Sequence, residues 1–387
     1  MYFVGIDISK YKHDCFIATE VGEVIKEPFS FSNTNEGFLQ LLTILKSLDS
    51  SKEKIRIGFE ATGHYHMNLM LFLERNNYSF MELNAALVKK FIEGKTLRKT
   101  KTDKKDAYQI TMYLMSVEYK PHPKQFYHKF ALKSLCRLRS KLVKQRSFYE
   151  MTLTNILDMT FPEFKPFFNG FSATSLYILN KYKTPERIAN MKDFDTLRKC
   201  SKGKFSYAKF LKLKELAKNT VGVSNDILSI ELETTLSLRK NIDKEINNLE
   251  DKIANYIKEL NPPTLSIPGI GVIFCANIIS EYGDMSRFKS ADACVAFAGI
   301  EPSISQSGTE NHDGKMVKHG SGNLRFYLLN AADYIVMHIP EFTEYYYKKR
   351  NEGKTHRVAL SHVAKKLVRL IYKLETENIT FDSTKLK

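Results

Sequence analysis

A chain of 387 residues, 43% hydrophobic and 26% charged, has the length for two or three domains and the composition of an ordinary soluble globular protein. No apolar run approaches the roughly 20 residues that span a bilayer. Five widely spaced cysteines form neither a CxxC metal site nor a disulfide framework, so we expect a cytoplasmic protein without membrane contact. The net charge of +16 favours nucleic acid as the partner over an anionic membrane surface or an acidic protein.

The N-terminal part of the chain predicts an α/β domain. Its strands are predicted at residues 2–8, 14–19, 24–29, 54–60 and 78–83. Its helices are predicted at residues 35–48, at 67–75 and from Asp103 onward. The first three strands follow one another through tight connections, so the order βββαβαβα begins with an antiparallel meander.

Four carboxylates occupy positions in this order of elements where they could meet. Asp7 lies near the end of the first strand, and Glu60 closes the fourth. Asp103 and Asp106 are three residues apart, so they share one face of a helix. Lysines surround this pair, namely Lys95, Lys99, Lys101, Lys104 and Lys105. Converging carboxylates can hold two metal ions about 4 Å apart that activate water on a phosphodiester. Taken singly, each could instead be a solvated strand end or helix start.

The middle of the chain is predicted to be helical. Residues 131–160 form a basic amphipathic pattern whose polar face could lie along phosphates, and several short helices are expected over 161–222. A heptad seam follows, made of Ile242, Ile246, Leu249, Ile253, Tyr256 and Leu260. The seam predicts either a coiled coil with a partner chain or a long helix packed inside its own domain. Pro262 and Pro263 end it.

A glycine-containing turn follows this boundary. Gly269 and Gly271 lie between helical patterns, as in the hairpin of a helix-hairpin-helix element. Glycine lets the backbone approach a phosphate closely, and a helix N-terminus offers free amides. Both glycines are therefore candidate contacts to nucleic acid.

A polar loop is predicted between Phe297 and a helix that begins near Leu324. Lys318 and Arg325, at its end, are candidate phosphate contacts. Ser307 lies within it, and serine is a common loop residue as well as a possible nucleophile. The basic C-terminal part, with Tyr345–Tyr347, predicts a closing helix rather than a tyrosine nucleophile, because no surrounding arginines and histidine can be placed.

Seven short motifs carry a resemblance to a known family. In the N-terminal part they are Gly5-Ile-Asp7-Ile-Ser-Lys10, Phe59-Glu60-Ala-Thr-Gly63-His-Tyr65 and Lys101-Thr-Asp103-Lys-Lys-Asp106-Ala107. In the C-terminal part they are Gly299-x-x-Pro302, Ser307-Gly308, Lys318-x-Gly320 and Leu324-Arg325. The chain resembles the DEDD transposases of the family founded by insertion sequence one hundred and ten.

The resemblance implies a RuvC-like N-terminal domain of the ribonuclease H fold, with a mixed five-stranded sheet. It assigns Asp7, Glu60, Asp103 and Asp106 as catalytic ligands of two Mg²⁺ ions, with Mn²⁺ as a possible substitute. It also implies a catalytic serine that maps onto Ser307. The neighbouring Ser303 and Ser305 are alternative positions for it.

We therefore predict three domains: the RuvC-like domain over 1–150, a helical linker and coiled coil over 151–262, and a mainly α-helical transposase domain over 263–387. The predicted activity is DNA transposition through a phosphoserine intermediate. Nucleic-acid contacts are predicted at Lys101, Lys104, Lys105, Gly269, Gly271, Lys318 and Arg325. The resemblance implies donor and target DNA and a structured guide RNA as partners, and a prokaryotic, nucleoid-associated protein. The seam suggests a homodimer or homotetramer.

Two alternatives stay open at this point. The first is a RuvC-like, metal-dependent DNA endonuclease that cuts junctions or single strands without a serine intermediate. The second is a non-enzymatic nucleic-acid-binding protein in which the carboxylates are structural.

Overall fold

The structure, a computed structural model, describes residues 1–60, 64–95, 103–122, 126–223, 225–307 and 310–385. The chain divides into two compact units, Met1–His128 and Lys129–Lys387. The predicted domain boundaries at residues 150 and 262 stay a prediction. No helix in the described ranges is long and apolar enough to cross a membrane.

The first unit is built on a mixed sheet of five strands. These are β1 (Tyr2–Ile8), β2 (Lys12–Thr19), β3 (Val24–Ser32), β4 (Ile55–Glu60) and β5 (Phe80–Leu83). The order across the sheet is β3-β2-β1-β4-β5; β1, β2 and β3 pair antiparallel, and β1, β4 and β5 pair parallel. The antiparallel meander and the mixed sheet are thereby confirmed, whereas the RuvC-like identity of the fold stays a prediction.

Helices cover both faces of this sheet. They are α1 (Asn35–Leu48), α2 (Met67–Arg75), α3 (Ala85–Lys95) and α4 (Asp103–Ser116). His13 of β2 stacks on Phe38 of α1 with ring centroids 6.0 Å apart. Phe16 of the same strand meets Tyr108 of α4 at 5.1 Å. Alternate residues of a strand point to opposite faces, so α1 and α4 lie on opposite sides of the sheet. The sequence did not predict α3.

Two long antiparallel helices, α5 (Phe126–Thr160) and α11 (Asp226–Leu260), lie in the second unit except for the first three residues of α5. Three ion pairs join them: Arg139–Glu250, Arg146–Asp243 and Glu150–Arg239. From one ion pair to the next, the residue number rises along α5 by as much as it falls along α11. The two helices therefore run antiparallel in a constant register. Arg139 and Arg146 belong to the basic pattern over 131–160 that the sequence suggested for phosphates, and both pair with carboxylates of α11.

The predicted heptad seam lies on α11. Ile246, Leu249 and Ile253 are buried, and Ile253 packs in an apolar cluster with Leu132 and Cys136 of α5. Helices of the same chain therefore cover this part of the seam, while Tyr256 and Leu260 at its end are exposed. A coiled coil with a partner chain is not confirmed. The predicted helix end is confirmed, because α11 stops at Leu260.

Five short helices connect the far ends of α5 and α11, as the sequence predicted. They are α6 (Phe164–Phe168), α7 (Ala173–Tyr182), α8 (Pro185–Ala189), α9 (Phe194–Cys200) and α10 (Tyr207–Lys218). They share an apolar core with both long helices, which includes Leu153 and Leu157 of α5 and Leu232 and Leu236 of α11.

The C-terminal part of this unit is mainly helical. Its elements are α12 (Val272–Tyr282), α13 (Ala291–Ala298), β6 (Pro302–Ser307), β7 (Glu310–Met316), α14 (Gly322–His338), α15 (Pro340–Asn351) and α16 (His356–Glu377). Their core includes Tyr282, Leu328, Phe342 and Leu367. The strands β6 and β7 pair antiparallel, so the polar loop predicted over this stretch is wrong.

Candidate functional site

Asp7 and Glu60 lie side by side in the sheet. The strands β1 and β4 are parallel, and their last aligned pair is Ile6 with Phe59. Asp7 and Glu60 are the next residues on their strands, and both are half-buried. Neighbouring strands are about 4.8 Å apart, and residues in register point to the same face. The prediction that these two carboxylates share one place in the fold therefore agrees with the strand register.

Two glycines allow α4 to lie directly on this face. Gly5 and Gly58 are neighbours in the register of β1 and β4. A Cβ atom on Gly5 would come within 2.2 Å of the Thr111 Oγ1 and 2.8 Å of the Ala107 carbonyl oxygen. A Cβ atom on Gly58 would come within 2.8 Å of a Leu114 methyl carbon. Both positions thus need glycine because the helix occupies the space of a side chain.

The direction of α4 brings its first turn to Asp7. Gly5 faces Ala107 and Thr111, while Phe3, two residues earlier on β1, packs in a cluster that contains Ile110 and Leu114. The helix α4 therefore runs antiparallel to β1. Two strand residues cover about 6.6 Å, which equals four to five helical residues. Asp7, two residues beyond Gly5, is thus level with residues 103–107 of α4.

The two aspartates predicted as further metal ligands occupy that first turn. Asp103 is the first residue of α4, and its side chain lies outside the described atoms. Asp106 is half-buried. The backbone positions of Asp7, Glu60, Asp103 and Asp106 are therefore gathered at one end of the sheet.

The donor chemistry of this region suits a hard divalent cation, because Mg²⁺ and Mn²⁺ prefer carboxylate oxygens. Among the side chains that the structure describes, no three of His, Cys, Asp or Glu form a metal-binding group. The Asp103 side chain is not among them. The gathered positions fit a metal site formed by the four carboxylates, and the assignment of ligands stays a prediction.

The lysines predicted to contact nucleic acid divide into two groups. Lys105, on the first turn of α4, has an exposed side chain. Lys101 and the side chain of Lys104 lie outside the described part of the chain.

Sequence reasoning missed one carboxylate beside Asp7. Asp14 of β2 is directly opposite Asp7 in the antiparallel pairing, and it is 1% exposed. The predicted meander already implied that β2 pairs with β1. The register, which depends on the connection between the strands, was needed to find the residue.

The segment with the predicted catalytic serine forms a β-hairpin in the second unit. Ser303, Ser305 and Ser307 belong to β6, and Ser307 pairs with Glu310 of β7. The side chains of this hairpin lie outside the described atoms. The choice among the three serines stays a prediction.

The base of the hairpin is closely packed. Gly299 and Gly320 both have positive φ, at +67° and +108°, and a Cβ on Gly299 would come within 1.9 Å of the His319 carbonyl oxygen. Arg325 donates from Nη1 to the Ala298 carbonyl oxygen at 3.2 Å. This contact gives Arg325 a role inside the fold, and Lys318 is exposed; phosphate contact by either residue stays a prediction.

A buried carboxylate lies beside this base. Glu281 of α12 is 1% exposed and accepts two hydrogen bonds from Arg137 of α5, at 2.7 and 3.0 Å. Lys133 places its Nζ 3.4 Å from the same carboxylate. Asn323, in the first turn of α14, donates to it at 3.4 Å. Burial alone would raise the pKa of Glu281, but the hydrogen bonds from Arg137 and both cationic charges outweigh it and lower the pKa.

The turn predicted as a helix-hairpin-helix faces another part of the protein. Gly269 has φ +90°, and a Cβ there would come within 3.3 Å of the Tyr334 backbone and of His338 in α14. Gly271 caps the start of α12, while the element before the turn is only a short 3-10 helix, Pro263–Ser266. The helix-hairpin-helix is not confirmed, and the close approach at Gly269 serves packing against α14.

Two family models match the chain. Residues 4–162 match a DEDD, IS110-type model described as a transposase. Residues 264–347 match a model described as transposase of the IS116/IS110/IS902 family. The first range contains the four gathered carboxylates, and the second contains the hairpin with its three serines.

Relatives of similar length align over almost the whole chain. The pilin gene-inverting protein of Moraxella bovis is 24% identical over 383 residues, which cover 98% of this chain and 97% of the relative. The insertion element IS116 uncharacterized 44.8 kDa protein of Streptomyces clavuligerus is 23% identical, over 96% of this chain and 93% of its own. The insertion element IS110 uncharacterized 43.6 kDa protein of Streptomyces coelicolor is 26% identical over 40% of this chain and 37% of its own.

Proposed function

We propose that the chain is a transposase of the IS110/IS116 family, which both family models support, and that it cuts and rejoins DNA through a phosphoserine intermediate. The observation that carries the proposal is the gathering of Asp7, Glu60, Asp103 and Asp106 at one end of the sheet. Their chemistry suits phosphodiester transfer, and DNA is the substrate expected of a transposase.

In the proposed reaction the Ser307 oxygen attacks a DNA phosphorus atom and loses its proton. A new phosphorus–oxygen bond to serine forms as the bond to the leaving deoxyribose oxygen breaks, and that oxygen takes up a proton. The phosphoester energy is conserved in the protein–DNA bond, so another DNA hydroxyl can attack it and reseal the strand without ATP.

The carboxylates would hold Mg²⁺ or Mn²⁺, which, when bound, lowers the pKa of an attacking group and stabilises charge on the phosphoryl oxygens. Asp7 and Glu60 are fixed by rigid neighbouring strands, and the glycine contacts seat the helix with the two aspartates against them. The chain therefore presents its proposed ligands from three elements that pack on one another.

The resemblance further implies a structured guide RNA that pairs with donor and target DNA, and assembly into a dimer or tetramer. The net charge of +16 supports binding to nucleic acid and does not distinguish RNA from DNA. We propose both partners on the family resemblance. Purification of the protein with and without ribonuclease, followed by sequencing of any retained RNA, tests the first, and mass measurement in solution tests the second.

Covalent trapping tests the serine. The protein is incubated with labelled DNA and Mg²⁺ and then denatured, and the proposal predicts a protein–DNA adduct. Ser307→Ala should abolish the adduct, whereas the matched variants Ser303→Ala and Ser305→Ala should retain it. Peptide mass spectrometry of the adduct then identifies the modified serine.

The principal alternative is a metal-dependent endonuclease that uses water. It needs only the four carboxylates, which lie in the first unit. It predicts cleavage that persists in Ser307→Ala and no adduct in the wild type. A cleavage rate unchanged in both Asp7→Ala and Asp103→Ala would refute the metal assignment in either mechanism.

A further inference from the structure

Asp14 is a buried carboxylate that the proposed mechanism does not use. It lies on β2 directly opposite Asp7 of β1 and is 1% exposed. In an antiparallel pair, directly opposed residues have Cβ atoms about 5 Å apart and point to the same face, and like charges there are destabilising. The fold thus keeps two acidic residues together at a cost in stability.

The face on which Asp14 lies is the face covered by α4. Phe16, two residues later on β2, packs with Ala107, and its ring meets Tyr108. The Thr111 hydroxyl donates to the Phe16 carbonyl oxygen at 3.3 Å. Residues two apart on a strand share a face, so Asp14, Asp7 and Glu60 form a row across β2, β1 and β4, level with the first turn of α4.

Two neighbours contact the Asp14 carboxylate, one on β3, which flanks β2 on the side away from β1, and one on β2 itself. Ser30 of β3 donates from its hydroxyl to Oδ1 at 2.5 Å. Lys12 places its Nζ 3.4 Å from Oδ2, and its side chain is 51% exposed. Each oxygen therefore already has a partner, which suits a carboxylate that supplies charge without turning to bind an ion itself.

We propose that Asp14 is a positioning residue for the cation site at Asp7: its buried negative charge, oriented by Ser30 and partly offset by Lys12, strengthens binding of a divalent cation by its neighbour. The inference rests on the proposed function, because it assumes that Asp7 binds the metal. Groups that support metal ligands from outside the coordination sphere typically change metal affinity by 10- to 100-fold.

The test measures metal binding directly, by titrating Mn²⁺ into the full-length protein in a calorimeter. Asp14→Asn keeps the size of the side chain and its hydrogen bond from Ser30, and should weaken Mn²⁺ binding about 10-fold. Glu27→Gln removes an exposed carboxylate from the neighbouring strand β3 and should leave the affinity unchanged. Metal-free unfolding curves report separately on stability, which a purely structural role would change without changing the affinity.

A second variant gives an effect of opposite sign. Lys12→Met removes the positive charge next to Asp14 and should tighten Mn²⁺ binding several-fold. If Asp14→Asn does not fold, an unchanged or weaker affinity of Lys12→Met overturns the inference. An affinity of folded Asp14→Asn within twofold of the wild type also overturns it. Absence of Mn²⁺ binding in the wild type would instead refute the proposed metal site, so the two failures are distinguishable.

Discussion

The packing of α4 against Gly5 and Gly58 of the sheet can be tested by adding one methyl group. Gly5→Ala would put its Cβ 2.2 Å from the Thr111 hydroxyl, 2.5 Å from the Thr111 backbone nitrogen and 2.8 Å from the Ala107 carbonyl oxygen. Two of these atoms are helix backbone, so relief requires α4 itself to move. Overpacking of a core costs about 1–3 kcal/mol, and we expect this variant near 3 kcal/mol.

Two other glycines provide graded controls. Gly58→Ala would meet only the Leu114 methyl carbons, at 2.8 and 2.9 Å, and a side-chain end can shift. We expect a loss of about 1 kcal/mol. Gly94→Ala lies in α3 with no atom near its Cβ, and should stabilise the protein by up to about 1 kcal/mol because alanine favours helix.

Circular dichroism during chemical unfolding measures the three free energies, and hydrogen exchange of α4 peptides reports where the damage lies. Gly5→Ala should speed exchange in α4 and weaken Mn²⁺ binding, because it displaces the turn that carries Asp103 and Asp106. If Gly5→Ala were no more destabilising than Gly58→Ala, the description of α4 resting on Gly5 would be wrong.

Three more predictions concern the second unit. Glu281→Gln should lower the free energy of unfolding by about 2 kcal/mol, whereas Asp292→Asn, in an ion pair whose side chains are 54% and 71% exposed, should change it by less than about 1 kcal/mol. Because the folded state lowers the pKa of Glu281, its contribution is full above the ordinary value of about 4.3 and is lost as the pH falls through the lowered value, so the difference from Glu281→Gln should narrow in acid. If Glu281→Gln and Asp292→Asn lowered the free energy of unfolding equally, the expectation that a buried ion pair contributes more than an exposed one would be wrong. Arg239→Met should cost about 2 kcal/mol by removing hydrogen bonds to Glu150 and Asp243; a chemical-unfolding curve that matches the wild type would contradict it. A thiol reagent at pH 8 should label Cys200 alone in the native protein, because the other four cysteines are buried, and burial raises their pKa, to about 12 for Cys136 and about 11 for Cys294; labelling of a buried thiol at a similar rate would refute it.

The sequence predicted the parts of the fold that depend on local patterning. Strand alternation and helical spacing located all five strands of the first sheet, and the helices α1 and α2 begin and end at the predicted residues. The adjacency of Asp7 and Glu60 could be suggested because both stand at strand ends. The face that α4 covers could not be suggested, because it depends on Gly5 and Gly58 being neighbours across two strands.

The missed features depend on contacts between residues distant in sequence. The heptad seam of α11 indicated an apolar face, but periodicity alone does not say what covers it. Around Ile253 the cover is formed by α5 and α12 of the same chain. The strands β6 and β7 contain three serines and mostly polar residues and lack apolar alternation, so their sequence resembled a loop. The sequence did not predict the short helix α3, because its segment contains three lysines and lacks a strong apolar face.

The constant register between α5 and α11 has a consequence for how this chain can vary in length. The C-terminal end of α5 lies beside the N-terminal end of α11, so residues 161–225 connect the two helices at one end of the pair. Insertions or deletions there need not shift the ion pairs nearer the opposite end. A natural homologue should therefore vary in length in the turns between the short helices, while those helices keep covering Leu153, Leu157, Leu232 and Leu236 of the long pair.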